Sequence, residues 1–117
     1  MYNRVDRYDP YVRAAIFYEY DGICFHDKKP LNFREMELDH IIPKKLFEKG
    51  NEKELHKLLS RLNLPVDFHR DCLCNLVPSR RVNNNEKGGS LYPDSILLNM
   101  LKITKEKAPN IIKRIDL

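Results

Sequence analysis

Apolar residues recur at three- and four-residue spacings in three stretches of the chain, and this period predicts three amphipathic helices. We expect the helices to span residues 10–20, 51–62 and 93–107. Pro109 should kink or restart the last of them, because proline lacks a main-chain N–H, so that this flanking helical region runs over 93–115. Such apolar stripes are typical of faces that pack into a hydrophobic core.

Residues that favour a helix start precede two of these stretches. Asp9 is a suitable N-cap, and Pro10 suits the first helical position, where an N–H would have no partner. Asn51 and Glu54 have the spacing of a capping box. A further helix is expected over residues 80–87, although its run of asparagines is unfavourable for a helix, and sequences tend to break such local rules at functional sites.

Short β-prone runs lie between the helical stretches. They span residues 23–26, 36–42 and 72–77, and the second run ends at Pro43, which has no N–H for a strand ladder. Residues 44–49 predict one or two helical turns. The chain therefore mixes helices with a few short strands.

Composition limits the chain to one small domain. It has 117 residues, of which 42% are hydrophobic and 32% charged, as is ordinary for a folded domain. No apolar run approaches the roughly 18 residues of a membrane span, and the first residues contain no apolar signal segment, so we expect a cytoplasmic protein without membrane contact. An odd number of cysteines, with two of them close together, favours reduced thiols: Cys24, Cys72 and Cys74.

Two polar clusters interrupt the apolar runs. The first is Asp39-His40, and the second runs from Asn75 into three consecutive asparagines. An imidazole with a pKa near 6.5 can take a proton from water at neutral pH, and carboxylate and amide oxygens favour Mg²⁺ or Mn²⁺ over zinc. Hydrolysis of a phosphodiester uses a base to take the proton of the attacking water and a divalent ion to stabilise the charge on the leaving oxygen. An Asp-His pair alone is more often structural, since strand alternation would make His40 a core residue and Asp39 a solvated carboxylate.

Positive charge gathers around these two clusters. The net charge is +4 and the isoelectric point is near 9.0, which favours a polyanionic partner. Basic residues near the clusters are either a solvated face or contacts to phosphate groups. We interpret five of them as phosphate contacts: Lys44, Lys45, Arg80, Arg81 and Lys87.

Three motifs follow one another in a specific order: Leu38-Asp39-His40-Ile41-Ile42-Pro43, then Cys74-Asn75-Leu76-Val77-Pro78, then Asn84-Asn85-Glu86-Lys87-Gly88. Together, over residues 23–89, they resemble the HNH endonuclease family, in the variant whose third signature residue is asparagine. The resemblance implies an α+β fold with a ββα-metal core, in which a two-stranded antiparallel hairpin and a helix hold one divalent ion, surrounded by additional helices. All of residues 1–117 would form a single nuclease domain.

The resemblance also implies a function and residue roles. The protein would be a DNA endonuclease of restriction, phage or mobile-element type, using Mg²⁺ or Mn²⁺ on double-stranded DNA and leaving 5′-phosphate and 3′-hydroxyl ends. His40 would be the general base, and Asn75 would orient its ring through the side-chain carbonyl. Asp39 and Asn84 would bind the metal. Alternatives to Asn84 within the same run are Asn83 and Asn85. Cutting both strands would require a dimer or two successive nicks.

The chain departs from the family at the structural zinc. Many members hold this zinc with two Cys-x-x-Cys pairs, whose positions are taken here by Cys24 with Asp27 and by Arg80 with Asn83. We therefore expect no structural zinc, and expect the outer helices to supply the stability that zinc supplies elsewhere.

A second departure is the long insert between His40 and Asn75, which contains the leucine-striped helix. Three histidines have no evident partner in the sequence and are left out of the site: His26, His56 and His69. Because Asp39 and His40 must both reach one phosphate, the strand that carries them should bend or end there.

Two other classes of protein fit parts of the pattern. A non-catalytic nucleic-acid-binding module of the same fold requires basic residues but not a base with an orienting amide, so the complete set argues against it. A small zinc-stapled interaction domain would require the cysteine pairs that this chain lacks.

Overall fold

Two short antiparallel strands form the sheet of this α+β fold. Strand β1 spans Glu37–His40 and strand β2 spans Leu76–Ser79, with Glu37 opposite Ser79 and His40 opposite Leu76. The computed structural model describes residues 1–83 and 90–116. All of β2 and most of β1 are buried, so the surrounding helices and loops cover the hairpin.

Three α-helices surround the sheet within the described ranges. They are α1, Pro10–Glu19; α2, Glu52–Arg61; and α3, Asp94–Ile115. Single 3₁₀ turns span Phe33–Glu35, Lys44–Phe47 and Leu73–Asn75, and residues 81–83 are also helical. The three predicted helical stretches are thereby confirmed. None of the described helices is long and apolar enough to cross a membrane.

The hydrophobic core lies where α1 and α3 pack against each other and where α3 meets the turn Leu73–Asn75. Ile16 of α1 and Leu97, Leu101 and Ile111 of α3 are almost completely buried. Burial of each such side chain stabilises the fold by about 1.5–3 kcal/mol. The core therefore lies beside the segment that leads into β2.

Helix α3 continues through Pro109 without a break, so the helix does not restart there. The proline ring lies on the exposed side of the helix, where water can bond the carbonyl that loses its N–H partner. Buried Ala108 and Ile111 flank the proline on the core side. The last turns are also tied to α1, because the Glu19 carboxylate accepts hydrogen bonds from Asn110 at 3.3 Å and Arg114 at 3.0 Å.

Two local predictions differ from the structure because the chain finds other hydrogen bonds. Residues 23–26 form no regular strand: Ile23 makes an isolated bridge to Pro30, the chain turns over residues 25–27, and Lys28 has a left-handed φ of 61°. Asn51 occupies the N-cap position of α2, as predicted, but its side chain makes no capping bond, since its amide donates to the Lys45 carbonyl at 2.7 Å.

The run predicted over 72–77 begins as the turn Leu73–Asn75, and its strand continues through Pro78 to Ser79. Pro78 fits within β2 because its carbonyl accepts the N–H of Phe25 at 2.9 Å, away from β1. This bond places residues 24–27 over the hairpin, next to the residues that carry the candidate chemistry.

The interface between α1 and α3 makes a stability prediction. Ile111→Ala leaves a cavity at a site with no exposed surface and should lower the free energy of unfolding by about 2–5 kcal/mol. The adjacent Ile112 is 37% exposed, so Ile112→Ala is the matched control and should cost less than about 1 kcal/mol. Urea denaturation of the two variants measures the difference, and equal losses would contradict this packing.

Candidate functional site

The candidate site lies where β1 ends. His40 is the last residue of the strand and the chain bends at Ile41 and Ile42, as predicted, but Asp39 and His40 are both still paired with β2, so the strand is regular through the two residues. Asp39 and His40 are only 4% and 5% exposed. The reading of Asp39 as a solvated carboxylate is therefore wrong, and both side chains are enclosed by other parts of the chain.

The ring of His40 is held by Asp71, a residue that the sequence did not identify. Nε2 of His40 lies 2.7 Å from Oδ1 of Asp71, and both side chains are buried. An ionised carboxylate can only accept a hydrogen bond, so Nε2 carries the proton and donates it. In the neutral ring, the basic lone pair is then on Nδ1.

Electrostatics support this assignment. Burial would raise the pKa of Asp71, but the hydrogen bond and charge of His40, together with Arg7 and Arg70, lower it on balance, so Asp71 is ionised at neutral pH. Burial is the largest influence on the pKa of His40 and lowers it, Asp71 acts in the opposite direction, and the net shift is downward. His40 is therefore neutral near pH 7, as a general base must be.

Asn75 lies beside this pair but makes different contacts from those predicted. Its side-chain carbonyl accepts the N–H of Ile42 at 2.8 Å, and its amide donates to the carbonyls of Ile42 at 3.1 Å and Arg70 at 2.9 Å. The prediction that this carbonyl bonds the His40 ring is therefore wrong. Asn75 fixes the main chain on both sides of the site, and Asp71 contacts the ring.

The carboxylate of Asp39 contacts His26, which the sequence analysis left out. Nε2 of His26 is 2.8 Å from Oδ2 of Asp39. Burial and then the charge of Asp39 raise the pKa of Tyr92. In the sequence, His26 stood out only as part of a β-prone run. Its contact with Asp39 depends on the turn that folds back over the hairpin.

Only some of the residues predicted to bind a metal lie within the described ranges. Asp39 and His26 offer one oxygen and one nitrogen donor, and no group of three or more His, Cys, Asp or Glu side chains is found among residues 1–83 and 90–116. The predicted ligand Asn84 and its alternative Asn85 lie outside the described residues. The carboxylate of Asp39 is a ligand type that suits a divalent cation.

The predicted phosphate contacts differ in their surroundings. Lys44 and Lys45 are exposed just beyond the end of β1. The Arg81 side chain is 79% exposed and lies 3.5 Å from Glu37. Arg80 donates from Nε to Asp27 at 2.7 Å, so its guanidinium is already occupied by a carboxylate. Lys87 lies outside the described residues.

Four residues at the other end of the hairpin form a polar cluster, which we call the Asp27 cluster: Cys24, Asp27, Arg80 and Asn83. Asp27 accepts hydrogen bonds from Arg80 and from the Asn83 amide, the latter at 2.7 Å. Cys24 Sγ accepts the Arg80 main-chain N–H at 3.4 Å. The Asn83 and Arg80 hydrogen bonds hold the pKa of Asp27 well below its usual range, against the opposing effect of desolvation. Asn83, weighed above as a metal ligand, belongs to this cluster.

Comparison with known proteins identifies no relative of the chain. No protein-family model matches the chain, and searches of curated proteins and of solved structures find no match either.

The Asp27 cluster predicts a pH-dependent contribution to stability. A carboxyl with a lowered pKa stabilises the fold above its ordinary pKa of about 3.9, and this contribution disappears as the pH falls towards the lowered value. Asp27→Asn should therefore melt at a lower temperature than wild type at pH 7, with a smaller gap at pH 3. Asp67→Asn, at an exposed loop residue, is the control and should melt like wild type at both values.

The Asn75 contacts predict a second loss of stability. Asn75→Ala leaves three main-chain groups near the site without their partner, so the free energy of unfolding should fall by about 1–3 kcal/mol or more. Asn99→Ala, at an exposed position of α3, should change it by less than about 0.5 kcal/mol. If denaturant midpoints shift equally in both variants, Asn75 does not fasten the two segments.

Proposed function

We propose that this protein is a metal-dependent DNA endonuclease of the HNH type, built on a ββα-metal core. The observation that carries the proposal is the buried pair at the end of β1, where Asp71 holds the ring of His40, the residue that follows the buried Asp39. A neutral imidazole with a fixed tautomer next to a buried acid is an arrangement suited to activating water.

His40 acts as the general base. Its Nε2 proton is held by ionised Asp71, so Nδ1 takes a proton from the attacking water. Asp71 is a positioning residue, which keeps the ring in one tautomer and stabilises the positive charge that the ring gains. Arg7 and Arg70, whose Nε atoms lie 3.8 and 3.5 Å from the Asp71 carboxylate, help keep Asp71 ionised.

Asp39 and Asn84 bind Mg²⁺ or Mn²⁺, and His26 lies close enough to Asp39 to orient its carboxylate. When bound, the ion neutralises negative charge that develops on the leaving oxygen of the phosphodiester. Exposed Lys44 and Lys45 follow β1 directly and contact backbone phosphates of double-stranded DNA.

Two features of the fold support the ββα assignment. The chain passes from β2 into the helical residues 81–83, which matches the order of hairpin and helix in the proposed core. The four positions where family members carry zinc-binding cysteines are those of the Asp27 cluster, and they meet here through hydrogen bonds. A polar cluster thus takes the place of a zinc staple.

A binding module without activity explains less of the site. Nucleic-acid binding requires exposed cations but gives no reason for a buried histidine whose tautomer is fixed by a buried aspartate. Activity measurements separate the two possibilities.

His40→Ala should lower the rate of DNA cleavage in Mg²⁺ by about 10²–10⁴-fold, because the general base is lost, while DNA affinity stays near that of wild type. Cleavage of a labelled duplex under single-turnover conditions gives the rate, and anisotropy in EDTA gives the affinity. His56→Ala, at an exposed position of α2, is the matched control and should cleave like wild type. Cleavage by His40→Ala at the wild-type rate would refute the mechanism.

A further inference from the structure

The exposed ring of Tyr8 has no role in the mechanism above, and it contacts Arg7, whose guanidinium lies next to Asp71. Both residues belong to the N-terminal segment, which is fixed to the site by main-chain bonds. The N–H of Val5 donates to the Asp71 carbonyl at 2.9 Å, and the N–H of His69 donates to the Tyr2 carbonyl at 3.1 Å. Residues 2–8 therefore run alongside the segment that carries Asp71.

Tyr8 presents its ring to solvent. It is 71% exposed, and the Arg7 guanidinium carbon lies 4.7 Å from the ring centroid. The Tyr8 main-chain N–H donates to the Asp6 carboxylate at 3.0 Å, which fixes the turn that carries the ring. An exposed aromatic ring in contact with an arginine is an arrangement that can stack a nucleobase.

A cavity of about 240 Å³ opens next to this ring. Its size is slightly below the roughly 300–1,000 Å³ of sites for drug-sized ligands, which suits one planar base. Apolar side chains form part of the wall, and guanidinium groups border it; the lining residues are Arg7, Tyr8, Arg13, Met36, Glu37 and Leu38.

The charges in the cavity favour an anionic ligand with a flat apolar part. Arg13 is fixed in the wall, because it donates to the Met36 carbonyl at 2.7 Å. The carboxylate in the wall is Glu37, which lies 3.5 Å from the Arg81 guanidinium. Arg7 joins the cavity to the site, since its Nε is 3.8 Å from Asp71, which in turn binds His40.

We propose that this cavity is a nucleotide subsite, in which an unpaired base of the DNA strand stacks on Tyr8 while Arg7 contacts an adjacent phosphate. A paired base inside a duplex does not offer its face for stacking, so the preferred substrate carries a single-stranded or frayed nucleotide beside the cut. The subsite rests on the nuclease function proposed above and narrows its substrate class.

A tryptophan reporter tests the stacking directly. The chain contains no tryptophan, so Tyr8→Trp places a single fluorescent indole in the proposed subsite. In EDTA, which prevents cleavage, a single-stranded oligonucleotide should quench this fluorescence, and a blunt duplex of the same sequence should quench it much less. Tyr18→Trp is the matched control, because Tyr18 is 63% exposed on α1 and lies outside the cavity lining.

Affinity provides the second measurement. Tyr8→Ala should weaken binding of the single-stranded oligonucleotide by about 5- to 150-fold, whereas Tyr8→Phe and Tyr18→Ala should bind like wild type. Anisotropy of a labelled oligonucleotide measures all three variants. The ring of phenylalanine keeps the stacking surface, so retention by Tyr8→Phe distinguishes stacking from a role of the hydroxyl group.

The outcomes separate the subsite from the nuclease function. If wild type cuts DNA while Tyr8→Ala binds as tightly as wild type, or the Tyr8→Trp signal does not respond to bound DNA, the subsite is wrong and the nuclease function stands. Equal quenching by the blunt duplex overturns the preference for an unpaired base. If wild type binds neither the single-stranded oligonucleotide nor the duplex, both proposals fail.

Discussion

The buried side chain of Asn75 makes the contacts on which the rest of the site depends. It bonds the N–H and carbonyl of Ile42 and the carbonyl of Arg70, so it fastens the residues after β1 to those before β2. His40 lies two residues before Ile42, and Asp71 lies one residue after Arg70. One carboxamide therefore holds together the segments whose side chains meet at 2.7 Å as His40 and Asp71.

The hairpin is closed by a different set of bonds at each end. At the His40 end, Asn75 joins main-chain groups and leaves the imidazole and carboxylates of the site enclosed. At the Glu37 end, the Asp27 cluster ties the turn after α1 to the residues that follow β2. The candidate site and the Asp27 cluster thus lie at opposite ends of the sheet, whose strands are only four residues long. Helix α3 supports both by packing on the turn that leads into β2.

The helices could be predicted because their signals are local: apolar periodicity and the Asp9 cap. The proline after Ile42 was a weaker signal, since β1 already ends at His40. Asp71 and His26 could not be assigned, since each contacts a residue distant in sequence and only the fold brings them together. The sequence pointed to Asp71 only through its position, four residues before Asn75. Helix α3 continues through Pro109, where the proline faces solvent and Glu19 ties the following turns to α1. Local propensity does not contain such tertiary contacts.

The chemical form of the cut ends tests the central claim most directly. Supercoiled plasmid is incubated with the folded wild-type protein in Mg²⁺ or in EDTA, and any relaxed product is then treated with DNA ligase. Attack by an activated water with departure of the 3′ oxygen leaves 5′-phosphate and 3′-hydroxyl ends, so nicks should form in Mg²⁺ alone and ligase should seal them. Plasmid that stays supercoiled in both Mg²⁺ and Mn²⁺, or nicks that ligase cannot seal, would contradict the account.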